Sequence, residues 1–138
     1  MKIIEVSENY KLIEDFLKKA KGSLDTFRYF QTRPVQIIKN HITTLMILEN
    51  ESPVCYGHLD LDNSTVWLGI AVVEEEKGKG YGNLMMAELL SSARKNKLKE
   101  VHLSVDIENK IARSVYLKQG FIPVKEKDGK LFMKIELG

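Results

Sequence analysis

Residues 65–82 of the chain, TVWLGIAVVEEEKGKGYG, decide its fold. The first nine residues are almost continuously apolar or β-branched, which predicts a central strand that is buried on both faces. A loop with three alternate glycines, Gly78, Gly80 and Gly82, follows, and the sequence after the loop has apolar residues at helical spacing. The stretch therefore predicts a strand, a glycine loop and a helix in direct succession.

The glycine loop is suited to bind phosphate. Because glycine has no Cβ atom, main-chain N–H groups can turn inward, next to the positive end of the following helix. The loop differs from two other phosphate loops. Gly80 follows Gly78-Lys79 where a P-loop requires Ser or Thr, and Asn83 stands where a dinucleotide fingerprint requires its third glycine. A tight turn would also explain the glycines, so composition alone leaves both interpretations open.

Upstream of this stretch the sequence predicts two helices and a hairpin. Ser7 is the predicted N-cap of a first helix that ends at Gly22, and a shorter helix is predicted over residues 24–31. Residues 43–48 and 54–61 are rich in β-branched and apolar side chains, which predicts two strands joined by a turn.

Downstream of the loop, residues 101–105 alternate and predict a strand. Residues 109–119 predict a short helix closed by Gly120, and residues 121–124 and 131–135 predict a final hairpin. This order of elements indicates an α/β fold with a mixed sheet, in a single domain of residues 1–138.

Two segments resemble the motifs of one enzyme family. Residues 70–85, IAVVEEEKGKGYGNLM, look like motif A of the GNAT family of acetyl-CoA-dependent N-acetyltransferases, Arg/Gln-x-x-Gly-x-Gly/Ala, with Lys77 at its start. Residues 108–121, ENKIARSVYLKQGF, are similar to the family's Asn-x-x-Ala-x-x-x-Tyr-x-x-x-Gly-Phe motif. The resemblance implies the GNAT acyl-CoA N-acyltransferase fold, with a mixed, mostly antiparallel central sheet flanked by helices. It also implies acetyl transfer from acetyl-CoA to an amine.

The resemblance implies which residues bind the cofactor. Main-chain groups of Ile70, Ala71 and Val72 would bind the pantetheine arm and the thioester carbonyl. Asn109 would contact the cofactor arm, and Tyr116 would stand near the thioester sulfur. The loop would bind the pyrophosphate through Lys77, Gly78, Lys79, Gly80, Tyr81, Gly82 and Asn83.

Acetyl transfer needs a donor for the developing oxyanion, a proton for the departing thiolate and a base for the amine. The Val72 N–H suits the first role and the Tyr116 phenol the second, although a tyrosine on an amphipathic helix is also typical of a core. Some family members use a glutamate as base where this chain has Ser104, which would instead contact substrate. His58 titrates near neutral pH and is the candidate base, although a lone strand histidine is usually structural.

The acceptor is expected to be a primary amine of a small molecule, such as an amino sugar or nucleotide sugar, or of a peptide. Tyr56, His58 and Asp60 alternate along one predicted strand, so Asp60 would orient His58 or contact the substrate. By resemblance the N-terminal helices close the acceptor pocket. Polar side chains there would meet a polar or anionic acceptor or remain solvated: Arg28, Tyr29, Arg33 and His41.

The composition argues against other classes of protein. With 138 residues, 43% of them hydrophobic, and no apolar run of bilayer length, the chain is expected to be cytoplasmic, unexported and free of membrane spans. A lone cysteine, Cys55, cannot form an internal disulfide, and no metal is expected. The net charge of +2 does not indicate a nucleic-acid partner. A monomer and a homodimer both fit.

Two other functions remain open from the sequence. A CoA-binding or sensor module without activity is favoured by Ser104 in place of glutamate, whereas Tyr116 argues against it. A nucleic-acid-binding domain would depend on the basic cluster at residues 94–99, which is better interpreted as a solvated helix end.

Overall fold

The computed structural model describes all residues of the chain, 1–138. The strands are β1 (Lys2–Glu5), β2 (His41–Glu49), β3 (Ser52–Asp62), β4 (Thr65–Val72), β5 (Glu100–Asp106), β6 (Ile122–Lys127) and β7 (Lys130–Glu136). The α-helices are α1 (Tyr10–Ala20), α2 (Tyr81–Lys95) and α3 (Lys110–Gln119). Short 3₁₀ segments connect α1 to β2 and precede the glycine loop.

The strands form one sheet in the order β1-β2-β3-β4-β5-β7-β6, which places β4 at its centre. All neighbouring strands are antiparallel except β4 and β5, which are parallel and are joined by the crossover helix α2. The predicted mixed, mostly antiparallel sheet flanked by helices is confirmed.

The parallel pairing of β4 with β5 is limited to one register pair, Trp67 with His102. Beyond this pair β4 continues to Val72 and β5 to Asp106 without pairing further, whereas β3 remains paired with β4 as far as Val72. The two central strands therefore separate, and the edge of β4 is open over its second half.

Helices cover both faces of the sheet. On one face Met85, Met86 and Leu89 of α2 belong to a core cluster with the central strands. On the other face Ile13 and Phe16 of α1 belong to a second, smaller core cluster. The apolar stripes of the two helices therefore account for both layers of the core.

The central strand is buried on both faces only in part. Val66 and Leu68 join the core cluster of α2, and Ala71 joins that of α1. Trp67 and Ile70 are half-buried because they border the opening between β4 and β5. The prediction that both faces are completely buried is wrong beside this opening. The sequence of one strand does not show where its neighbour separates from it.

The N-terminal third departs from the prediction at its beginning. Strand β1 is missed because four residues with charged ends, at the edge of the sheet, give little periodic signal. Asn9 rather than Ser7 caps α1, since its Oδ1 accepts a hydrogen bond from the Leu12 N–H at 3.2 Å.

The helix predicted over residues 24–31 is wrong. Two 3₁₀ segments, Lys21–Asp25 and Tyr29–Gln31, take its place. Between them Phe27 packs on Tyr56, with 5.5 Å between the ring centroids. Packing on the sheet therefore determines the backbone of this segment and overrides its weak helical propensity.

The close packing of α2 on β3 depends on Gly57. A Cβ atom there would lie 2.5 Å from Met85 Sδ and 2.9 Å from Leu89 Cδ1, and both side chains are fully buried. We expect Gly57→Ala to lower the free energy of unfolding by about 1–3 kcal/mol, because the helix or both side chains must move.

Gly22→Ala is the matched control. Its added Cβ would lie 3.4 Å from the Glu74 carboxyl carbon, so we expect a change of less than about 0.5 kcal/mol. Urea denaturation measures both variants, and equal midpoints for Gly57→Ala and the wild type would contradict the packing argument.

Candidate active site

The glycine loop between β4 and α2 presents main-chain N–H groups that have no main-chain partner, those of residues 78–83. Gly78 and Gly80 have φ values of +83° and +90°, a left-handed conformation that favours glycine. Gly80 is the N-cap of α2, and no side chain caps this helix. A Cβ atom at either glycine would meet nothing within 4 Å. The loop therefore has the geometry of an anion cradle at the positive end of a helix.

Side chains around the loop fix its position. The Tyr81 hydroxyl donates to Glu49 Oε2 at 2.7 Å, which ties the first turn of α2 to the end of β2. This hydrogen bond, with a smaller contribution from burial, raises the pKa of Tyr81 to about 12. Lys77 and Lys79 pair with glutamates of the segment Glu74–Glu76, at 2.9 and 2.5 Å. These pairs are exposed and weak, so an anion in the cradle can compete for both lysines.

The open edge of β4 presents the main-chain N–H groups of Ile70 and Val72. Val73 N–H donates to Val54 O at 2.9 Å, and hydrogen-bonded pairs alternate along antiparallel strands. Ile70 and Val72 therefore direct their N–H and C=O groups away from β3 and toward the opening. The Ser23 hydroxyl donates to the Val72 carbonyl oxygen. The neighbouring N–H of Val72 is left available to a ligand.

Two adjoining cavities occupy the space between β4, β5 and α3. The cofactor cavity, of about 360 Å³, extends from the glycine loop along the open edge of β4. The acceptor cavity, of about 580 Å³, lies between β3, β5 and the segment 26–33. They meet at a junction lined by residues of both: Thr26, Phe27, Ile70, Asn109, Ala112 and Tyr116. Ligands bound in the two cavities would touch there.

The cofactor cavity brings together most of the residues predicted to bind the cofactor, namely Ile70, Ala71, Val72, Lys77, Gly78, Gly80, Tyr81, Gly82, Asn83, Asn109 and Tyr116. Lys79 is outside this lining, because its ammonium turns to Glu76. Ala71 faces the cavity without a free main-chain group, since the alternation of hydrogen bonds turns its N–H and C=O toward β3.

Helix α3 brings Asn109 and Tyr116 to the junction. Asn109 caps the helix, with its Oδ1 accepting from the Ala112 N–H at 3.2 Å, and its side-chain N–H₂ group remains free. The Tyr116 ring packs edge-on against Phe121 at 6.1 Å, and its hydroxyl makes no hydrogen bond within the protein. Burial raises the pKa of Tyr116, so the phenol keeps its proton at neutral pH.

His58 forms part of the wall of the acceptor cavity. It is 2% exposed, and its Nδ1 lies 2.7 Å from the Tyr56 hydroxyl. Its Nε2 has no partner within the protein and lies beside Gly69, where a Cβ atom would be 2.6 Å away. Burial, with smaller contributions from His41 and Arg33, lowers the pKa of His58 well below 6.5. The imidazole is therefore neutral at pH 7, and glycine at position 69 makes room for it.

A chain of hydrogen bonds runs beside His58. The Tyr29 hydroxyl donates to Asp60 Oδ2 at 2.8 Å and lies 2.7 Å from His41 Nε2. His41 Nδ1 lies 2.8 Å from Thr44 Oγ1. Because the Tyr29 O–H group donates to Asp60, His41 Nε2–H must donate to the Tyr29 oxygen, and the Thr44 hydroxyl must donate to His41 Nδ1. Burial raises the pKa of Tyr29 and lowers that of His41 to about 4, so both rings are uncharged at neutral pH.

The other residues predicted to bind substrate line the acceptor cavity, with Tyr56 and His41 as the exceptions. Tyr56 is fully buried and its hydroxyl holds His58, so it has the orienting position predicted for Asp60. Arg28 pairs with Asp106 at 2.9 Å across the mouth of the cavity, and Ser104 is exposed on β5.

Sequence reasoning missed an aromatic wall and a carboxylate of the acceptor cavity. Trp67 and Phe132 line it with 5.9 Å between their ring centroids, and Asp62 lies at the end of β3. Trp67 and Leu68 face opposite sides of the sheet because side chains alternate along a strand, but the exposure of Trp67 depends on where β5 leaves β4. No local signal could have brought Phe132 to the same wall.

Some other kinds of site have no support in the structure. No three or more His, Cys, Asp or Glu side chains are grouped to hold a metal ion. None of the helices combines the length and apolar character that crossing a bilayer requires. Cys55 is buried, and burial raises the pKa of its thiol to about 12.

Several solved structures share this fold. The PaiA N-acetyltransferase from Thermoplasma acidophilum, in complex with coenzyme A, has a TM-score of 0.80 at 16% identity, with 99% of this chain and 100% of that chain covered. A ribosomal-protein-alanine N-acetyltransferase from Brucella melitensis has a TM-score of 0.77 at 18% identity, with 99% and 100% covered. A GNAT family acetyltransferase from Elizabethkingia anophelis with acetyl-CoA bound has a TM-score of 0.74 at 15% identity, with 99% and 97% covered. At these identities the likeness shows the fold alone.

The sequence matches a family model over most of its length. No curated protein matches it. The model of the Acetyltransferase (GNAT) family matches residues 7–121, a span that includes the glycine loop, the open edge of β4 and Tyr116. The chain therefore belongs to the GNAT family of acetyltransferases and is an N-acetyltransferase that depends on acetyl-CoA.

Proposed function

We propose that this enzyme transfers the acetyl group to a primary amine of a small molecule or a peptide that binds in the acceptor cavity. The observation that carries the proposal is the junction of the two cavities, to which Ile70 and Tyr116 both belong. The acceptor cavity, at about 580 Å³, lies within the usual range for small-molecule sites.

An anionic acceptor, such as a nucleotide sugar, has less support than an uncharged or cationic one. Arg28 is already paired with Asp106, and its Nη1 also donates to the Asp25 carbonyl oxygen. Arg33 donates to the main-chain oxygen of Tyr29 at 3.0 Å. Arg28 would have to give up its carboxylate partner to meet a phosphate, and one N–H of Arg33 is already used. An amino sugar without phosphate does not need them.

Acetyl-CoA supplies an activated acetyl thioester. The N–H groups of residues 78–83 would hold its pyrophosphate, and the Ile70 main chain would bind the pantetheine arm. The Val72 N–H would stabilise negative charge on the thioester oxygen, because it is directed into the cofactor cavity and is fixed by the strand.

His58 in the acceptor cavity and Tyr116 at the junction divide the proton transfers between them. The nitrogen of the neutral amine bonds to the carbonyl carbon, the carbon–sulfur bond breaks, and one proton of that nitrogen passes to His58 Nε2. Tyr116 gives its proton to the leaving sulfur, and its raised pKa keeps that proton in place until then. Exchange with solvent afterwards removes the proton from His58 and restores that of Tyr116.

Base function requires one tautomer of His58. Nδ1–H must donate to the Tyr56 oxygen, so that Nε2 carries the lone pair. In the other tautomer the Tyr56 phenol donates to Nδ1, and Nε2–H is a hydrogen-bond donor to the acceptor. Glutamine at position 58 can still donate a hydrogen bond but cannot take up a proton. The variant His58→Gln therefore distinguishes a general base from a hydrogen-bond donor.

Gly80→Val should weaken CoA binding at least about tenfold. Its side chain would enter the cradle, and its φ of +90° is unfavourable for a β-branched residue. Gly129→Val is the matched control, because Gly129 has a φ of +78°, meets nothing within 4 Å of an added Cβ and lines neither cavity. Calorimetric titration with CoA measures both. Equal affinities for the two variants would exclude the loop as the pyrophosphate site.

Tyr116→Phe should lower kcat by about a hundredfold and leave KM for acetyl-CoA within about twofold. The ring would still pack against Phe121, and only the proton donor would be lost. Release of free thiol over a panel of amines measures both constants. Tyr10→Phe, outside both cavities, is the control. A variant with wild-type kcat would show that Tyr116 is structural.

His58→Gln should lower kcat by about a hundredfold at neutral pH. In the wild type the pKa of His58 lies well below 6.5, so the base is already deprotonated at neutral pH. Its kcat should therefore stay level as the pH falls to 6.5 and should decrease only at lower pH, where the imidazole takes up a proton. Rates measured across this range with saturating substrates test both statements. Full activity of the variant would limit His58 to hydrogen-bond donation.

A further inference from the structure

Three polar side chains follow one another along one face of β3 and line the acceptor cavity: His58, Asp60 and Asp62. Alternate residues of a strand lie about 7 Å apart. Asp60 is therefore the carboxylate next to His58, and Asp62 lies about twice as far from it along the strand. His58 is buried, Asp60 is half-buried and Asp62 is exposed. The row therefore leads from the interior of the cavity to its rim.

His58 indicates that the inner end of this row receives a ligand. Only 2% of the residue is exposed, yet its Nε2 has no hydrogen-bond partner in the protein and faces the cavity. No fully buried side-chain nitrogen of the protein lacks a partner, so Nε2 keeps a small accessible surface in the cavity and is open to a partner from outside the chain. Under the proposed function, on which this inference rests, that partner is the reacting amine.

Neither of the two carboxylates beyond His58 forms an ion pair within the protein. Asp60 is bonded through Oδ2 to the hydroxyl of Tyr29, which is uncharged at neutral pH, and its Oδ1 has no partner. Asp62 takes part in no ion pair. The Arg33 guanidinium lies against the same tyrosine without pairing with either carboxylate, so both carboxylates remain available to a cationic ligand.

The positively charged side chains that line the cavity do not pair with Asp60 or Asp62. Arg28 is paired with Asp106, and the Arg33 guanidinium lies 4.3 Å above the Tyr29 ring. Lys130 stands across from Asp106 in the register of β5 and β7, on the opposite wall. The wall formed by β3 is therefore the negative side of the cavity.

An apolar surface accompanies the negative wall. Trp67 stands across from Asp60 in the register of β3 and β4, and its ring lies 5.9 Å from that of Phe132. Aromatic faces of this kind pack against alkyl chains and attract ammonium groups.

We propose that the acceptor is a straight aliphatic diamine or polyamine. One amine reacts at the junction beside His58, the alkyl chain lies along Trp67, and the second ammonium group is bound by Asp60 with support from Asp62. The chain of putrescine or cadaverine spans the distance of about 7 Å between the two positions.

Initial rates of CoA release with butylamine, putrescine and cadaverine test this inference. Butylamine and putrescine offer the same reacting group on the same chain and differ only in the second ammonium. We expect kcat/KM to be at least about tenfold higher for putrescine, and the advantage to decrease about fivefold in Asp62→Asn and further in Asp60→Asn. Asp128→Asn should leave the advantage of putrescine over butylamine unchanged. Asp128 lies in the turn between β6 and β7, and asparagine tolerates its φ of +53°.

The outcomes separate this inference from the function on which it rests. Equal kcat/KM for butylamine and both diamines, or a diamine advantage that persists in both cavity variants, would overturn the inference and leave amine acetylation standing. Absence of CoA release with every amine would overturn the proposed function and the inference with it. Asp62 is on the rim, so its variant remains informative if Asp60→Asn fails to fold.

Discussion

The open edge of β4 is the constraint on which the rest of the site depends. A buried main-chain N–H or C=O group must find a partner, and β5 provides one only near Trp67. Beyond that pair the polar groups of β4 face the opening, where Ser23 takes the carbonyl of Val72 and the adjacent N–H is left free. Two cavities follow from the same separation, because strands that stayed paired would leave no space between them for α3 to line.

The anion cradle of this chain is formed by neutral main-chain groups. Lys77 and Lys79 lie next to the cradle, but each is paired with a glutamate of the segment Glu74–Glu76. The attraction of the cradle for an anion therefore depends on N–H dipoles fixed by the left-handed glycines and by the first turn of α2. Fixed dipoles select an anion by its shape as well as by its charge. The bond between Tyr81 and Glu49 keeps that turn in position against β2.

The parts of the site that the sequence predicted are local in the chain. The strand, glycine loop and helix of residues 65–95 and the helix from Asn109 to Tyr116 are each specified by adjacent residues, so their patterns are visible without a structure. The acceptor cavity is different, because Tyr29, Trp67 and Phe132 reach it from elements distant in the sequence. The same limit explains why two predicted site residues do not contribute as expected. The main-chain groups of Ala71 are directed toward β3, and the side chain of Tyr56 is buried in the core.

The aromatic cluster behind the acceptor cavity determines the charge state of its histidines. The rings of His41 and His58 lie 4.7 Å apart, and that of Tyr29 lies 4.3 Å from His58. A second positive charge at this distance inside the protein is unfavourable, and burial already disfavours the first. Both imidazoles are therefore neutral at neutral pH, and the hydrogen-bond chain that ends on Asp60 consists of uncharged groups. The negative charge at the inner wall thus belongs to Asp60, which forms no ion pair within the protein and receives a hydrogen bond from Tyr29.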